Sequence, residues 1–329
     1  MAAALPPFLG LDAFATGDAS EPPVPAPSVD QAEAVVVPVP FERTVSYGTG
    51  TADGPRALLE ASTYLELYDE QLDRRPADIG VATVEPVEPP GGGRTDNELA
   101  TAIDAIGDVV AGHLASGQFP IVVGGEHSLT SGPVRAARDV AAAGGDALGV
   151  VQFDAHADLR DRYEGLRYSH AAVMRRIVDD LELPTLAVGL RSLSTAEALL
   201  IRRRDLPTIW SHELHEDALA GSTARFERLL ESLPQRVYLT FDLDYFDPAL
   251  LPATGTPEPG GGDWFFTLAL LRRLFALRDV VAMDLVELAP RADAPSSAFV
   301  AAKLAYKCLG FRFLDRLEPL ASTAGDRPR

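Results

Sequence analysis

Eight short apolar runs punctuate the chain, at 34–39, 80–84, 119–123, 147–153, 185–190, 206–210, 236–241 and 279–286, and they alternate with stretches of helical periodicity. Runs such as Val35-Val36-Val37 and Val150-Val151 lack polar alternation, which predicts strands buried on both faces. Strands of that kind joined by crossover helices make a parallel sheet in an α/β protein. Eight of them fit either a closed barrel or an open sheet covered on both faces, and periodicity alone does not separate the two. Residues 1–33 are rich in Pro, Ala and acids, as in Glu21-Pro22-Pro23-Val24-Pro25-Ala26-Pro27, and predict an extended arm ahead of the first strand. No internal repeat is evident.

Three polar segments follow apolar runs: Gly124-Gly125-Glu126-His127-Ser128, Asp154-Ala155-His156-Ala157-Asp158 and Asp242-Leu243-Asp244-Tyr245-Phe246-Asp247-Pro248. In an extended chain residues two apart point to the same side, so Asp154, His156 and Asp158 converge, as do Asp242 and Asp244. With His127 from a third strand end, the four carboxylates and two imidazoles exceed what one ion needs. The set is hard, oxygen-rich and free of thiolate, which suits Mn²⁺ first, with Fe²⁺, Co²⁺ or Ni²⁺ as alternatives, better than a structural zinc. Two divalent ions about 3.5 Å apart would lower the pKa of a water between them from about 15.7 towards neutrality. That chemistry is metal-assisted hydrolysis. Singly, each segment also reads as a turn or a solvated strand end; their coincidence in one chain carries the metal reading.

These segments, together with Pro252-Ala253-Thr254-Gly255-Thr256-Pro257-Glu258-Pro259-Gly260-Gly261, resemble the signatures of the ureohydrolases, the arginases, agmatinases and their relatives. The resemblance covers residues 34–317. It implies an open three-layer α/β/α sandwich around a mainly parallel eight-stranded sheet, with 34–317 as one catalytic domain and 318–329 as a tail. It implies two Mn²⁺ per subunit, one held by His127, Asp154, Asp158 and Asp242 and the other by Asp154, His156, Asp242 and Asp244. Asp154 and Asp242 would bridge them. All six positions match the family motif, which argues against a metal-free homologue and against the related deacetylases that keep one zinc. Tyr168-Ser169-His170 resembles the family's Ser-His segment, which implies that His170 protonates the leaving amine, although Ala171 replaces the glycine common after it. Glu287, closing the run Val280 to Val286, is implied to hold the guanidinium bidentately, and Asp158 to hold the nucleophile in line.

Residues 159–170, with Asp161, the Tyr163-Glu164-Gly165 triplet and Ser169-His170, resemble the agmatinase pattern, and the Asp-Ile-Asn segment of arginases is absent. Val39 to Gly50 and Gly54-Pro55-Arg56 resemble agmatinases too. The implied reaction is hydrolysis of agmatine to putrescine and urea. Guanidinobutyrate, guanidinopropionate, guanidine, arginine or a formimino compound are the alternative substrates. A non-catalytic metal-binding regulator would need neither His170 nor Glu287. The resemblance also implies a homo-oligomer, a trimer or hexamer.

Bulk properties refine this picture. At 329 residues, 47% hydrophobic and 23% charged, the chain is ample for one large domain. The formal net charge of −19 weighs against a nucleic-acid partner and suits a small cationic guanidino substrate, whose local concentration an acidic cleft raises. Only two lysines, Lys303 and Lys307, stand among the basic residues, which reflects either a salt-rich cytoplasm or a GC-rich genome. No apolar run reaches the roughly 18 residues of a membrane span and no basic start precedes an apolar core, so a cytoplasmic protein without a membrane partner is expected. The lone Cys308 excludes an internal disulfide and falls in an apolar helical pattern, where a buried, inert thiol is expected. Ser211-His212-Glu213-Leu214-His215-Glu216 reads as a loop, because it lacks the spacing of a metalloprotease helix. Glu126 reads as support behind His127. Residues 254–261 read as a rigid loop beside the site, and sequence does not decide whether Glu258 meets substrate.

Overall fold

The computed structural model describes residues 4–11 and 24–319. The rest of the predicted arm and most of the tail predicted at 318–329 lie outside the described residues. Eight strands, β1 (Ala34–Val39), β2 (Val81–Thr83), β3 (Phe119–Gly124), β4 (Leu148–Phe153), β5 (Thr185–Leu190), β6 (Thr208–Trp210), β7 (Arg236–Asp242) and β8 (Asp279–Val286), form one sheet. The order is β2-β1-β3-β8-β7-β4-β5-β6 with every pair parallel. The sheet ends at β2 and β6, so it is open and not a closed barrel. The runs predicted at 80–84 and 206–210 shrink to three residues each because they are the edges, where pairing is available on one side only.

Helices cover both faces. One layer holds α1 (Gly54–Ser62), α6 (Ser211–Ala220), α7 (Ala224–Leu230), α8 (Trp264–Leu277) and α9 (Ser296–Arg312); the other holds α2 (Asp96–Ala115), α3 (Ser131–Ala143), α4 (Val173–Asp179) and α5 (Thr195–Arg204). Alternation along the strands assigns the residues: Val237, Leu239 and Phe241 pack into the first layer, while Tyr238 packs towards the second. Continuing the same period, Thr240 and Asp242 share the side of Tyr238, and Gln152 and Asp154 share the side of Val150. In register, Gln152, Thr240 and Asp284 stand side by side on β4, β7 and β8. A buried polar row therefore separates the apolar core from the strand ends.

Two elements depart from simple expectation. Of the arm, Phe8 and Leu9 are buried in the first-layer core, with Phe8 N donating to Thr83 Oγ1 and Leu9 N to Ser62 Oγ, both at 2.8 Å. Ser211 to Glu216, read as a loop, is the start of α6. Glu213 accepts from the Trp210 amide at 3.0 Å, which caps the first turn, and Arg225 bridges Glu213 and Asp217 from α7. His212 and His215 face outward while Leu214 is buried. Cys308 is buried in α9, where burial pushes its thiol pKa up. Among the described residues no helix is long and apolar enough to cross a membrane.

Candidate active site

The site lies at the carboxyl ends of the four central strands β3, β8, β7 and β4, where chain order reverses and ligands of open α/β sheets gather. All six predicted ligands meet there. His127, Asp154 and Asp158 form one group and Asp154, His156 and Asp244 a second, with ligand atoms within 4.8 Å of one another in each. Asp154 belongs to both. His127 Nδ1 stands 3.2 Å from Asp154 Oδ2, 3.1 Å from Asp158 Oδ2 and 3.3 Å from Asp242 Oδ2. His156 Nδ1 lies 2.9 Å from Asp244 Oδ2 and 3.8 Å from Asp154 Oδ1.

Local backbone holds these carboxylates. The His156 amide donates to Asp154 Oδ1 at 2.6 Å and Gln152 Nε2 to Asp154 Oδ2 at 2.8 Å. The Asp244 amide donates to Asp242 Oδ1 at 2.8 Å and the Ala155 amide to Asp244 Oδ1 at 3.1 Å. Asp158 and Glu287 both adopt left-handed backbone, φ 51° and 65°, which costs about 1–3 kcal/mol at a residue with a Cβ and is found where the surroundings impose a functional geometry.

Whether these donors fit metal is decided by His127. Its Nε2 lies 2.9 Å from Thr240 Oγ1, whose hydroxyl donates to Asp284 Oδ1 at 2.7 Å. With the hydroxyl proton so committed, Nε2 carries the ring proton and Nδ1 presents a lone pair. That Nδ1 is buried and, among the described residues, has no hydrogen-bond partner, while three carboxylates face it. Such an arrangement calls for cations, and the hard donor set fits divalent ones. Without metal, protons take their place. Burial disfavours the charged His127 ring, but the carboxylates of Asp154, Asp158 and Asp242 facing Nδ1 outweigh it and hold its pKa well above 6.5. Burial likewise opposes the charged His156, and Asp244 overrides it, raising the pKa to about 11. Burial and the nearby Asp244 push Asp242 well up, whereas His156 overcomes burial to pull Asp244 down to about 2.

Around the ligands stand the remaining predicted residues. Glu287 is buried, which raises its pKa to about 8, and its Oε1 accepts from the His127 amide at 2.6 Å. His170 begins a short 3₁₀ turn; its Nδ1 is 3.2 Å from Thr44 Oγ1 and 3.3 Å from Ser169 Oγ, and its ring meets that of Tyr163 edge-on at 5.6 Å. Glu126 is no ligand: it accepts from the amides of Arg43 and Thr44 and from the hydroxyls of Thr44 and Ser128. It thereby fixes the Thr44 hydroxyl that the His170 ring rests on. His156, Asp158, His170, Asp244 and Glu287 open into a cleft of about 250 Å³. A larger hollow, about 1110 Å³, is lined in part by the 259–263 segment and by none of the predicted site residues.

Sequence reasoning missed Gln152, Thr240 and Asp284. Their signal was present: each is a polar residue in the interior of a largely apolar strand. Asp284 accepts from Thr130, Tyr238 and Thr240 hydroxyls at 2.8, 2.9 and 2.7 Å, a buried carboxylate held by three donors.

Known proteins resemble this chain over most of its length. The model of the arginase family matches residues 32–310. The N(1)-aminopropylagmatine ureohydrolase of Synechocystis is 41% identical over 295 residues, 86% of this chain and 90% of that protein. The agmatinase of Pyrococcus horikoshii is 31% identical over 287 residues, 87% of this chain and 94% of that protein. The crystal structure of the agmatine ureohydrolase of Thermoplasma volcanium superposes with a TM-score of 0.78 at 29% identity, covering 93% of this chain and 98% of that one. The chain belongs to the arginase family. Within it, the chain is an agmatinase-like ureohydrolase, a hydrolase of amidino carbon–nitrogen bonds.

Proposed function

We propose that this ureohydrolase cleaves the guanidino group of a polyamine, with N(1)-aminopropylagmatine preferred over agmatine, and that it works with two Mn²⁺ per chain. The observation that carries the substrate is the 41% identity to the Synechocystis enzyme across 90% of that protein. Agmatine is the second reading, favoured by the agmatinase-like segment 159–170 and by the Pyrococcus horikoshii relative. The products are urea and a triamine in the first case, urea and putrescine in the second.

When bound, the ions would supply a water nucleophile ionised near neutral pH. His127, Asp154, His156, Asp158, Asp242 and Asp244 are the residues that would hold them. Glu287 receives the guanidinium; its Oε1 is already fixed by the His127 amide, so the carboxylate is oriented before substrate arrives. Burial of Glu287 disfavours its charge, and the incoming cation offsets that. Asp158 orients the nucleophile. His170 donates its proton to the departing alkyl amine, while Thr44 and Ser169 beside Nδ1 set the ring's orientation.

Urea release from manganese-loaded enzyme tests this, with kcat/KM compared across N(1)-aminopropylagmatine, agmatine, 4-guanidinobutyrate and arginine. The aminopropyl compound is expected to lead and agmatine to follow. Preference for arginine or guanidinobutyrate, or turnover of formimino compounds without urea from any guanidine, contradicts the proposal.

A further inference from the structure

One wall of the catalytic cleft is the loop that follows the Asp242–Asp247 turn, with Gly255, Thr256 and Glu258 lining it. A Cβ built on Gly255 would lie 3.9 Å from Glu287 Oε2, and Thr256 Oγ1 is 3.4 Å from Asp244 Oδ2. Glu258 lines the cleft two residues further on. Arg191 fixes this path: its guanidinium donates to the carbonyls of Asp244 at 2.7 Å, Glu258 at 2.8 Å, Gly189 at 3.2 Å and Tyr245 at 3.3 Å. The backbone of residue 258 is thus tied to the turn that carries Asp244.

Among the described residues, nothing ties the side chain of Glu258. It is partly buried, and among the described residues its carboxylate makes no hydrogen bond and no ion pair. Carboxylates removed from bulk water are normally paired, because desolvating an unpaired charge is costly. The one arginine lining the same cleft, Arg160, is engaged elsewhere: it lies 5.1 Å from the Tyr163 ring centroid and 3.9 Å from Glu197 Oε2. The cleft therefore offers a free negative group on this wall.

We propose that Glu258 determines specificity by receiving the protonated nitrogen that lies four methylenes beyond the guanidine in agmatine and in N(1)-aminopropylagmatine. This rests on the polyamine reading of the site. Glu287 takes the guanidinium and Glu258 the distal ammonium, and the loop from Gly255 to Glu258 spans at most about 10 Å, the scale of such a chain. A substrate with an uncharged tail leaves Glu258 unpaired, and one ending in a carboxylate is repelled by it.

The test is kcat/KM of manganese-loaded wild type, Glu258→Gln and Glu258→Ala on agmatine, on butylguanidine, which keeps the spacer without the amine, and on 4-guanidinobutyrate. Loss of a hydrogen-bonded ion pair predicts a fall of about ten- to a hundredfold on agmatine, carried by KM, with butylguanidine changed less than about twofold. Guanidinobutyrate should improve. Bound manganese and circular dichroism should match wild type in both variants. Equal losses on agmatine and butylguanidine, or no loss on either, overturn the assignment. If wild type itself favours butylguanidine or guanidinobutyrate over agmatine, the polyamine reading fails and the role of Glu258 with it; if wild type favours agmatine and the variants keep that preference, only the role of Glu258 fails.

Discussion

Replacing Thr240 by valine removes one hydroxyl from the middle of the chain His127–Thr240–Asp284 and leaves the side-chain volume nearly unchanged. Three consequences follow from the distances. The His127 Nε2–H, now 2.9 Å from Thr240 Oγ1, loses its acceptor in a fully buried position. Asp284 keeps the Thr130 and Tyr238 hydroxyls but loses the donor at 2.7 Å. The ring is no longer forced into the form that presents Nδ1 to Asp154, Asp158 and Asp242. An unsatisfied buried donor costs about 1–3 kcal/mol of stability, and loss of a partner behind a metal-binding histidine lowers metal affinity about 10- to 100-fold. The assay is competition for Mn²⁺ against a chelator, with thermal melting of the metal-free and loaded forms in parallel. Thr240→Val should bind manganese more weakly and melt lower, while Thr240→Ser, which restores the hydroxyl, should recover most of both. Wild-type manganese affinity in the valine variant would refute the idea that this chain sets the ring.

Removing the proton donor, in His170→Ala, should lower turnover by about 10²- to 10⁴-fold with manganese content unchanged; depletion of metal in that variant would place His170 among the ligands instead. Gly48→Ala should disturb the cleft without unfolding the chain, since its Cβ would sit 2.7 Å from the Gly255 carbonyl oxygen and push apart the loops that frame Glu287; kcat/KM should drop while circular dichroism stays the same. The metal-free protein should lose stability as pH rises from about 6 to 9. His156, raised from 6.5 to about 11, contributes stability present below 6.5 and lost as pH climbs through 11, and Glu287, raised from 4.5 to about 8, loses its contribution between 4.5 and 8. Asp244, lowered from 3.8 to about 2, changes stability only in acid. Metal binding displaces the protons, so the loaded enzyme should show a flatter melting profile over that range, and a metal-free melting temperature that climbs with pH would contradict the assignment.

Much of this architecture is legible in the sequence because buried parallel strands are short, largely apolar runs, and all eight strands fall on such runs. The ligands are legible for the related reason that acids and histidines follow those runs immediately, where side-chain alternation aims them at one place. Thr240, Asp284 and Gln152 stay hidden because a single polar residue inside an apolar strand looks like noise until neighbouring strands bring three of them into one row. The Thr44–Glu126 contact joins residues 82 positions apart, which no local pattern encodes. Helix α6 is not legible because its apolar face is small, Ser211 and Leu214 alone being buried, and its start is held by the Glu213 cap. The orientation of the 254–262 loop depends on Arg191 gathering carbonyls from three segments, a tertiary arrangement with no sequence signature.

The most direct test of the central claim is urea release from agmatine and N(1)-aminopropylagmatine as manganese is titrated into metal-free enzyme. Activity should be absent without metal and should reach its plateau at two ions per chain. Full urea release from the metal-free protein or at one ion per chain, or none from any guanidine with two ions bound, would contradict the two-metal ureohydrolase described here.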